Sequence, residues 1–316
     1  MNKIEKFFYY LVHKPNQLGV SVLVRLSFMI PDKPYLQMMY RLNMGKKLNL
    51  KNPKTFNEKL QWLKLYNRKP EYTIMVDKVK AKEYVANIIG EEHIIPTLGV
   101  WDDPDDIDFD ALPNQFVLKC NHNSGTGMCI CRDKSKLDIS KVKAELRKGL
   151  KENYFLHGRE WPYKDVPRKI LAEKFMVDDE QHDKAITRGE LEELNDYKFF
   201  CFNGKPKVLF VASDRSNKVC FDYYDMNLQH LDLKQGGENY NGEVKLPKSF
   251  SEMKELAAKI SKDIPHVRTD FYEIKGQIYF GELTFFDSSG FEKFSPECWD
   301  EKFGKLIVLP PHIVDI

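Results

Sequence analysis

Two stretches of this chain read as β-hairpins, and they constrain its fold more than any other feature. DYKFFCFNGKPKVLFVASDR (196–215) turns at Asn203-Gly204, a dipeptide suited to the positive φ of a tight hairpin turn. VRTDFYEIKGQIYFGELTFF (267–286) breaks at Lys275-Gly276 between two apolar, aromatic-rich arms. Hairpins demand antiparallel pairing. Helical segments precede and separate these two, so the pattern predicts an α+β fold rather than a doubly wound parallel sheet. The second hairpin also poses a chemical question. Asp270 lies inside its first arm and Glu282 inside its second, among Phe, Tyr, Ile and Leu. A carboxylate in that setting must be solvated, paired or given a cation. Glu282 and Thr284 are two apart and share a strand face. Asp270 joins that face only if the turn has an odd number of residues or a bulge intervenes.

At 316 residues, with 42% hydrophobic and 13% aromatic side chains, the chain can bury two or three packed subdomains. Its net charge of +2 gives no case for a nucleic-acid partner. Six cysteines, at 120, 129, 131, 201, 220 and 298, form no C-x-x-C pair, which predicts buried, reduced thiols in a cytoplasmic protein. No signal peptide is legible. The longest apolar run, LGVSVLVRLSFMI (18–30), is too short to span a bilayer and contains Arg25. With His13, Lys14 and Lys33 nearby it reads as a core or docking helix, or as a peripheral contact with the inner face of a membrane.

Along the chain, residues 1–50 read as helical. NPKTFNEKLQWLKLYN (52–67) carries a capping box, with Thr55 as cap and Glu58 closing it. A helix is expected over 76–88, then an extended run in IIPTLGVW (94–101). The acidic DDPDDIDFDALP (102–113) reads as a solvated surface connection. FVLKC, NHNSGTG and MCICR give strand, glycine loop, strand over 116–132. SKVKAELRKGLKEN (140–153) reads as an amphipathic helix capped by Ser140, and KILAEKFMV (169–177) as a strand. The polar segment 178–195 lacks an apolar face and is expected to be a mobile loop; SEMKELAAKISKD (251–263) is a further helix.

Charged groups inside these apolar strands are the candidate chemistry. Lys119 stands beside the Ser124-Gly125-Thr126-Gly127 loop, whose backbone N–H groups and hydroxyls suit phosphate oxygens. The loop is neither a P-loop nor G-x-G-x-x-G, and by itself it is also an ordinary hairpin turn. LAEKFM places Glu173 and Lys174 on opposite faces of one strand, which an edge strand with a solvated pair would also explain. Asp196, Lys198, Asp214 and Arg215 charge the first hairpin. Asp270, Glu282 and Thr284 offer oxygen ligands of the kind Mg²⁺ takes, beside Arg268. Cations for phosphates in one half and anions for a metal in the other are what a magnesium–nucleotide site needs. His122 is a further candidate phosphate contact, whereas His157, His182, His230 and His266 read as surface or capping residues.

NPKTFNEKLQWLKLY, the Asp77-Lys78 pair, FVLKCNHNSGTG, AEKFM, DYKFFCFNGKPK and RTDFY…IYFGELTFF…SSG occur in this order between about residues 50 and 304. The ordered set resembles the ATP-grasp superfamily, and is most similar to its teichuronopeptide-biosynthesis branch from bacterial capsule and exopolysaccharide pathways. The resemblance implies an ATP-grasp fold, with two α+β subdomains gripping ATP behind a helical N-terminal region. The implied divisions are 1–75, 76–172 with the glycine loop, and 173–316 with the metal site. By the same resemblance Lys78 and Lys119 hold the ATP phosphates under the loop Ser124–Gly127. Glu173, with the backbone of Lys174 and Met176, forms the adenine hinge. Asp196 binds ribose, and Lys198 and Arg215 contact phosphate or substrate. Arg268 stabilises the transferring phosphoryl group, while Asp270 and Glu282 hold Mg²⁺ with Thr284. Many members have Asn at the place of Thr284, and a hydroxyl is a weaker magnesium ligand than an amide carbonyl.

The implied reaction is an ATP-dependent carboxylate–amine ligation through an acyl phosphate, which joins a uronic acid or related carbohydrate carboxylate to an amine or amino acid. A phosphoryl transferase on the same fold, a metal-dependent glycosyltransferase and a nonenzymatic module in polysaccharide assembly are the alternatives. A D-x-D motif would favour the glycosyltransferase, and Asp108-Phe109-Asp110 and Asp222-Tyr223-Tyr224-Asp225 are poor candidates for one.

Overall fold

The N-terminal helices, which precede the first strand in the chain, pack on each other. In the computed structural model, which describes residues 15–177, 194–213 and 219–311, α1 (Pro15–Arg25) and α2 (Asp32–Met44) bury Leu23, Tyr35, Leu36, Met39 and Tyr40 in a small core of their own. α2 ends at Gly45, whose φ of 76° is the left-handed cap that glycine adopts without a Cβ penalty. α3 (Phe56–Tyr66) begins with the expected capping box: the Thr55 hydroxyl accepts from the Glu58 N–H, and the Glu58 carboxylate accepts from the Thr55 N–H.

The helix expected over 76–88 is α5 (Lys80–Ile89), which starts four residues later, and a short helix α4 (Glu71–Val76) precedes it. The break falls at 77–79 because the Asp77 carboxylate accepts from the Val79 N–H at 3.0 Å, a local turn that competes with the helix.

β1 (Thr97–Trp101), β2 (Phe116–Cys120), β3 (Met128–Cys131) and β4 (Ile170–Lys174) form a four-stranded antiparallel sheet of order β1-β4-β2-β3. α6 (Ile139–Lys151) packs behind it. Its cap is Asp138, accepting from the Lys141 N–H at 3.0 Å, and not Ser140, which lies inside the first turn. The acidic connection at 102–113 is more than a solvated loop. Its aspartates face water or close turns, but Ile107, Phe109 and Leu112 plug the core between this sheet and α6. The short helix α7 (Phe155–Gly158) leads back to β4.

Both hairpins form. β5 (Asp196–Phe202) and β6 (Lys205–Ser213) turn through Asn203 and Gly204 at φ 49° and 76°. Next comes β7 (Cys220–Asp225), then the two-residue β8 (Lys234–Gln235), which pairs with β11 (Phe294–Ser295). β9 (His266–Ile274) and β10 (Gln277–Thr284) turn through Lys275 and Gly276 at φ 53° and 81°. Two consecutive positive φ values match the twist of the paired strands. The five long strands make an antiparallel sheet of order β10-β9-β5-β6-β7. α8 (Phe250–Ile260) packs against β5, β6 and β9, and α9 (Cys298–Leu306) against α3.

The architecture is therefore α+β with two antiparallel sheets. The largest core joins the five-stranded sheet to α3, α4 and α5, so residues Phe56 to Ile89 pack with the second lobe and not with the small sheet. The division expected at 172/173 falls inside β4, because Glu173 still pairs with Val117 of β2. His266 is the clearest departure from expectation for a single side chain. It is buried between Phe56, Phe200 and Phe202 rather than at the surface. The expected loop 178–195 lies, for residues 178–193, outside the described residues. Among the described residues no helix is long and apolar enough to cross a membrane.

Candidate functional site

Gly281 and Glu282 of β10 together oppose the single Asp270 of β9. Pairing runs in register from Gln277–Ile274 to Phe280–Phe271 and resumes, shifted by one, at Leu283–Thr269. This is a β-bulge, and it meets the condition set by the sequence: the turn has two residues, so only the bulge brings Glu282 onto the face of Asp270. Thr284 pairs with Arg268 and Lys198 with Asp270, which extends the same face.

The bulged face is a dense ionic array. Asp270 is buried, and its carboxylate accepts two bonds from Arg268, at 2.8 Å each, and one from Lys198 at 2.6 Å. Lys198 also reaches Asp196 at 2.9 Å. Arg268 spends its remaining donors on Glu282 at 3.3 Å, on the Thr284 hydroxyl at 3.1 Å and on Asp287. Burial alone would raise the Asp270 carboxyl, but Arg268 and then Lys198 outweigh it and hold the group below the usual range. Burial would likewise lower Arg268, yet Asp270 and Asp287 drive it well above its ordinary value. Four carboxylates, Asp196, Asp270, Glu282 and Asp287, thus face two cations.

The opposite wall is basic. Lys119 projects from β2, and its ammonium meets the Glu173 carboxylate at 2.5 Å; Lys82 of α5 meets the same carboxylate at 2.7 Å. Glu173 is buried. Burial would raise its carboxyl, and the two lysines, Lys119 foremost, hold it down. One carboxylate shared by two ammonium groups satisfies the acid more fully than either base, and burial keeps Lys82 below its normal range. Lys78 stands in the turn between α4 and α5, where its ammonium donates to the Asn123 carbonyl. Burial lowers Lys78 as well.

The glycine loop is rooted by side chains rather than by its own strands. Asn121 donates to Asp77 at 2.8 Å, tying the loop to the turn that carries Lys78. Asn123 donates to the Glu152 carboxylate at 3.0 Å and to the Gly149 carbonyl at 3.2 Å. Gly127, at φ 69°, lies so close to Gly149 that a Cβ on Gly149 would stand 2.6 Å from the Gly127 Cα. His122 is turned away into the protein, with Nε2 3.2 Å from the Glu152 carbonyl, so it faces α6 and not a phosphate.

Between the two walls runs a cleft of about 470 Å³, within the range of small-molecule sites. From the small sheet and its loop come Lys119, Ser124, Gly125, Glu173, Lys174 and Met176. Asp196, Lys198, Asp270 and Glu282 face them, and Lys78 joins from the turn. Thr126, Gly127, Arg268 and Thr284 do not line it, although Arg268 and Thr284 bond to residues that do. The Lys174 N–H is committed to the Pro96 carbonyl at 3.0 Å. Arg215 lies outside the described residues.

Sequence reasoning missed Lys82, Asp287, Arg132 and Tyr272. Lys82 follows Lys78 by four residues, a spacing that could have flagged it. Asp287 directly precedes the Ser288-Ser289-Gly290 turn, whose two serines have positive φ values of 46° and 53°. Arg132 and Tyr272 also line the cleft; both fall within the phrases MCICR and RTDFY, but neither was singled out there.

Two antiparallel sheets flanking a cleft lined by a glycine loop, lysines and carboxylates are the arrangement expected of an ATP-grasp protein. The family model for TupA-like ATP-grasp proteins matches residues 58–308, and the chain belongs to that family. No curated protein matches it. Among solved structures it is similar to D-alanine–D-alanine ligase from Bacillus anthracis complexed with ATP, at 16% identity over 67% of this chain and 54% of that one, with a TM-score of 0.38. It is also similar to D-alanine–D-alanine ligase from Helicobacter pylori, at 14% identity over 80% and 69% of the chains, with a TM-score of 0.43. A biotin carboxylase complex from Campylobacter jejuni gives 15% identity over 75% and 48%, with a TM-score of 0.38. The matched region spans about half the length of the Bacillus anthracis ligase.

Proposed function

We propose that the chain is an ATP-dependent carboxylate–amine ligase. The observation that carries this reading is the bulge that turns Asp270 and Glu282 onto one face of a cleft lined by Lys119 from the small sheet and by Lys78 from the turn between α4 and α5. In this reading the two lysines bind ATP phosphates beneath the Ser124–Gly127 loop. The hinge at Glu173, Lys174 and Met176 takes the base, and Asp196 takes the ribose. Glu173 reaches that role from between Lys82 and Lys119, so its side chain sets those ammonium groups as much as it meets adenine.

Mg²⁺ fits the donor set. Asp270 is held ionised, Glu282 is half-exposed and among the described residues engages its neighbours through Oε1, and all the donors are oxygen. Among the described residues no cluster of three or more acidic, His or Cys side chains is poised for a metal, so water and phosphate must complete the shell, as Mg²⁺ prefers. The ion would neutralise phosphate charge. Lys198 and Arg268 occupy the same Asp270 oxygens, so Arg268 serves a transferring phosphoryl group only by giving up one of these partners.

The reaction is attack of an acceptor carboxylate oxygen on the γ-phosphorus, which releases ADP and leaves an acyl phosphate. An amine then attacks the acyl carbon and inorganic phosphate departs. The protein's contribution is positioning and charge stabilisation, with no covalent nucleophile. The resemblance to bacterial polysaccharide enzymes supports a uronic-acid carboxylate as acceptor, an amino acid or amine as its partner, and a place at the inner face of the membrane. Three aspartates of the candidate glycosyltransferase motifs have local structural partners. Asp108 caps a turn at Asp110 and Ala111, Asp222 is buried against His230 at 2.9 Å, and Asp225 closes the turn to Asn227 and Gln229.

The test is product analysis with Mg²⁺-ATP, uronic acids and amines. Equimolar ADP and phosphate that require both acceptors support the ligase. ADP without free phosphate makes the chain a phosphoryl transferase instead.

A further inference from the structure

Phe28 and Met29 are 71% and 70% exposed, the most open large apolar side chains of α1 and the turn that follows it. Val22 and Leu26, one helical turn apart on the same side, are also exposed. The turn is ordered by its own bonds: Leu26 N–H donates to the Val22 carbonyl, Met29 N–H to Leu26 and Ile30 N–H to Ser27, at 3.1, 3.0 and 3.2 Å.

The protein invests a fully buried arginine in holding this apolar tip. Arg159 donates to the Ser27 carbonyl at 2.6 Å and the Ile30 carbonyl at 2.9 Å, the residues that bracket Phe28 and Met29. Its Nε stands 3.0 Å from Asp32, and its guanidinium lies 4.1 Å above the Tyr35 ring. Within Pro15–Met44 the fully exposed charges have one sign. Asp32 is the sole acidic residue between Pro15 and Met44, and it is spent on Arg159 and on Arg68 at 2.8 Å. Arg25 and Lys33 flank the tip and are exposed.

An apolar pair braced at both ends and flanked by two exposed cations is the chemistry of an interfacial anchor. We propose that the 26–29 turn is a docking wedge for a bilayer containing anionic lipid. Phe28 and Met29 enter the interfacial layer with Val22 and Leu26 behind them, while Arg25 and Lys33 meet headgroup phosphates. The wedge is linked to the cleft by side chains. Glu160 follows Arg159 and accepts from the Ser289 hydroxyl, and Ser289 belongs to the turn begun by Asp287, the partner of Arg268. Docking would therefore hold the acidic wall of the cleft at a fixed height above the lipid. The inference does not depend on which reaction the cleft performs.

Flotation of the full chain with two kinds of vesicle tests it: phosphatidylcholine alone, and phosphatidylcholine with phosphatidylglycerol. The wild type should float with the anionic vesicles, less so as salt rises. F28S/M29S should lower that binding by at least about tenfold with an unchanged melting temperature, since both side chains are exposed. R25E/K33E should remove the anionic preference. Absence of wild-type binding to anionic vesicles at low salt, or equal binding by F28S/M29S, overturns the proposal. So does a wild-type dimer that F28S/M29S converts to monomer without any vesicle binding, because the patch would then be a contact between copies.

Discussion

Glu282 stands across from Asp270 because Gly281 shares with it the space of one residue. Gly281 cannot easily be replaced: a Cβ there would lie 3.1 Å from the Asp270 carbonyl oxygen and 3.1 Å from the Tyr272 ring. Deleting Gly281 would leave Glu282 in direct register with Asp270, so the informative variant is G281V, whose branched side chain must force the bulge apart. The expected outcome is loss of Mg²⁺-dependent nucleotide binding by about tenfold or more with β-sheet content kept, read by calorimetry and circular dichroism. Unchanged binding in G281V would show that the close packing at the bulge does not build the site.

Glu173 carries two lysines, and its removal strands both. E173Q should lower folding stability by about 3 kcal/mol, because breaking a buried pair leaves uncompensated charge. Adding K82M should recover part of that loss, since Lys82 no longer needs a partner. Urea unfolding of the two single variants and the double variant measures the coupling. Strict additivity would mean that the lysines find other anions.

The close approach of Gly127 and Gly149 predicts a specific effect on the nucleotide. In G149A the new methyl must push the glycine loop off α6. KM for ATP should rise several-fold while kcat changes less, and stability should fall by about 1–3 kcal/mol. Equal KM values in wild type and variant would detach the loop from nucleotide binding.

His266 predicts the acid response. Its ring is enclosed by phenylalanines, with Nδ1 3.0 Å from the Cys201 carbonyl, and burial lowers its pKa from 6.5 to about 3. Below about pH 6.5 the unfolded chain takes up a proton that the folded chain refuses. Stability therefore rises with pH between about 3 and 6.5 and is lost as pH falls through that window. The effect is on the order of a few kcal/mol. H266F should flatten it, so thermal melts at pH 7 and pH 4 should differ less in H266F than in wild type.

Much of the site was readable because strand alternation and charge are local signals. A carboxylate or lysine among aromatics stands out, and Lys119, Glu173, Lys198, Asp270 and Glu282 were found in that way. Both hairpin turns and the capping box at Thr55 were legible for the same reason. What sequence hid was long-range or competitive. The condition for Asp270 and Glu282 to share a face was statable in advance, but the bulge that meets it depends on strand register. Ser140 and Asp138 are both competent caps, and geometry alone chose Asp138. Ile107, Phe109 and Leu112 were masked by the aspartates around them. Arg159 gave no signal, since a basic residue in a loop normally reads as surface.

Titration of a nonhydrolysable ATP analogue into the wild type and E282Q, with and without Mg²⁺ and beside a nucleotide sugar, tests the central claim most directly. Magnesium-dependent binding of the ATP analogue, weakened at least about tenfold in E282Q, is the predicted result. No binding of the analogue, a preference for the nucleotide sugar, or E282Q binding equal to wild type would contradict it.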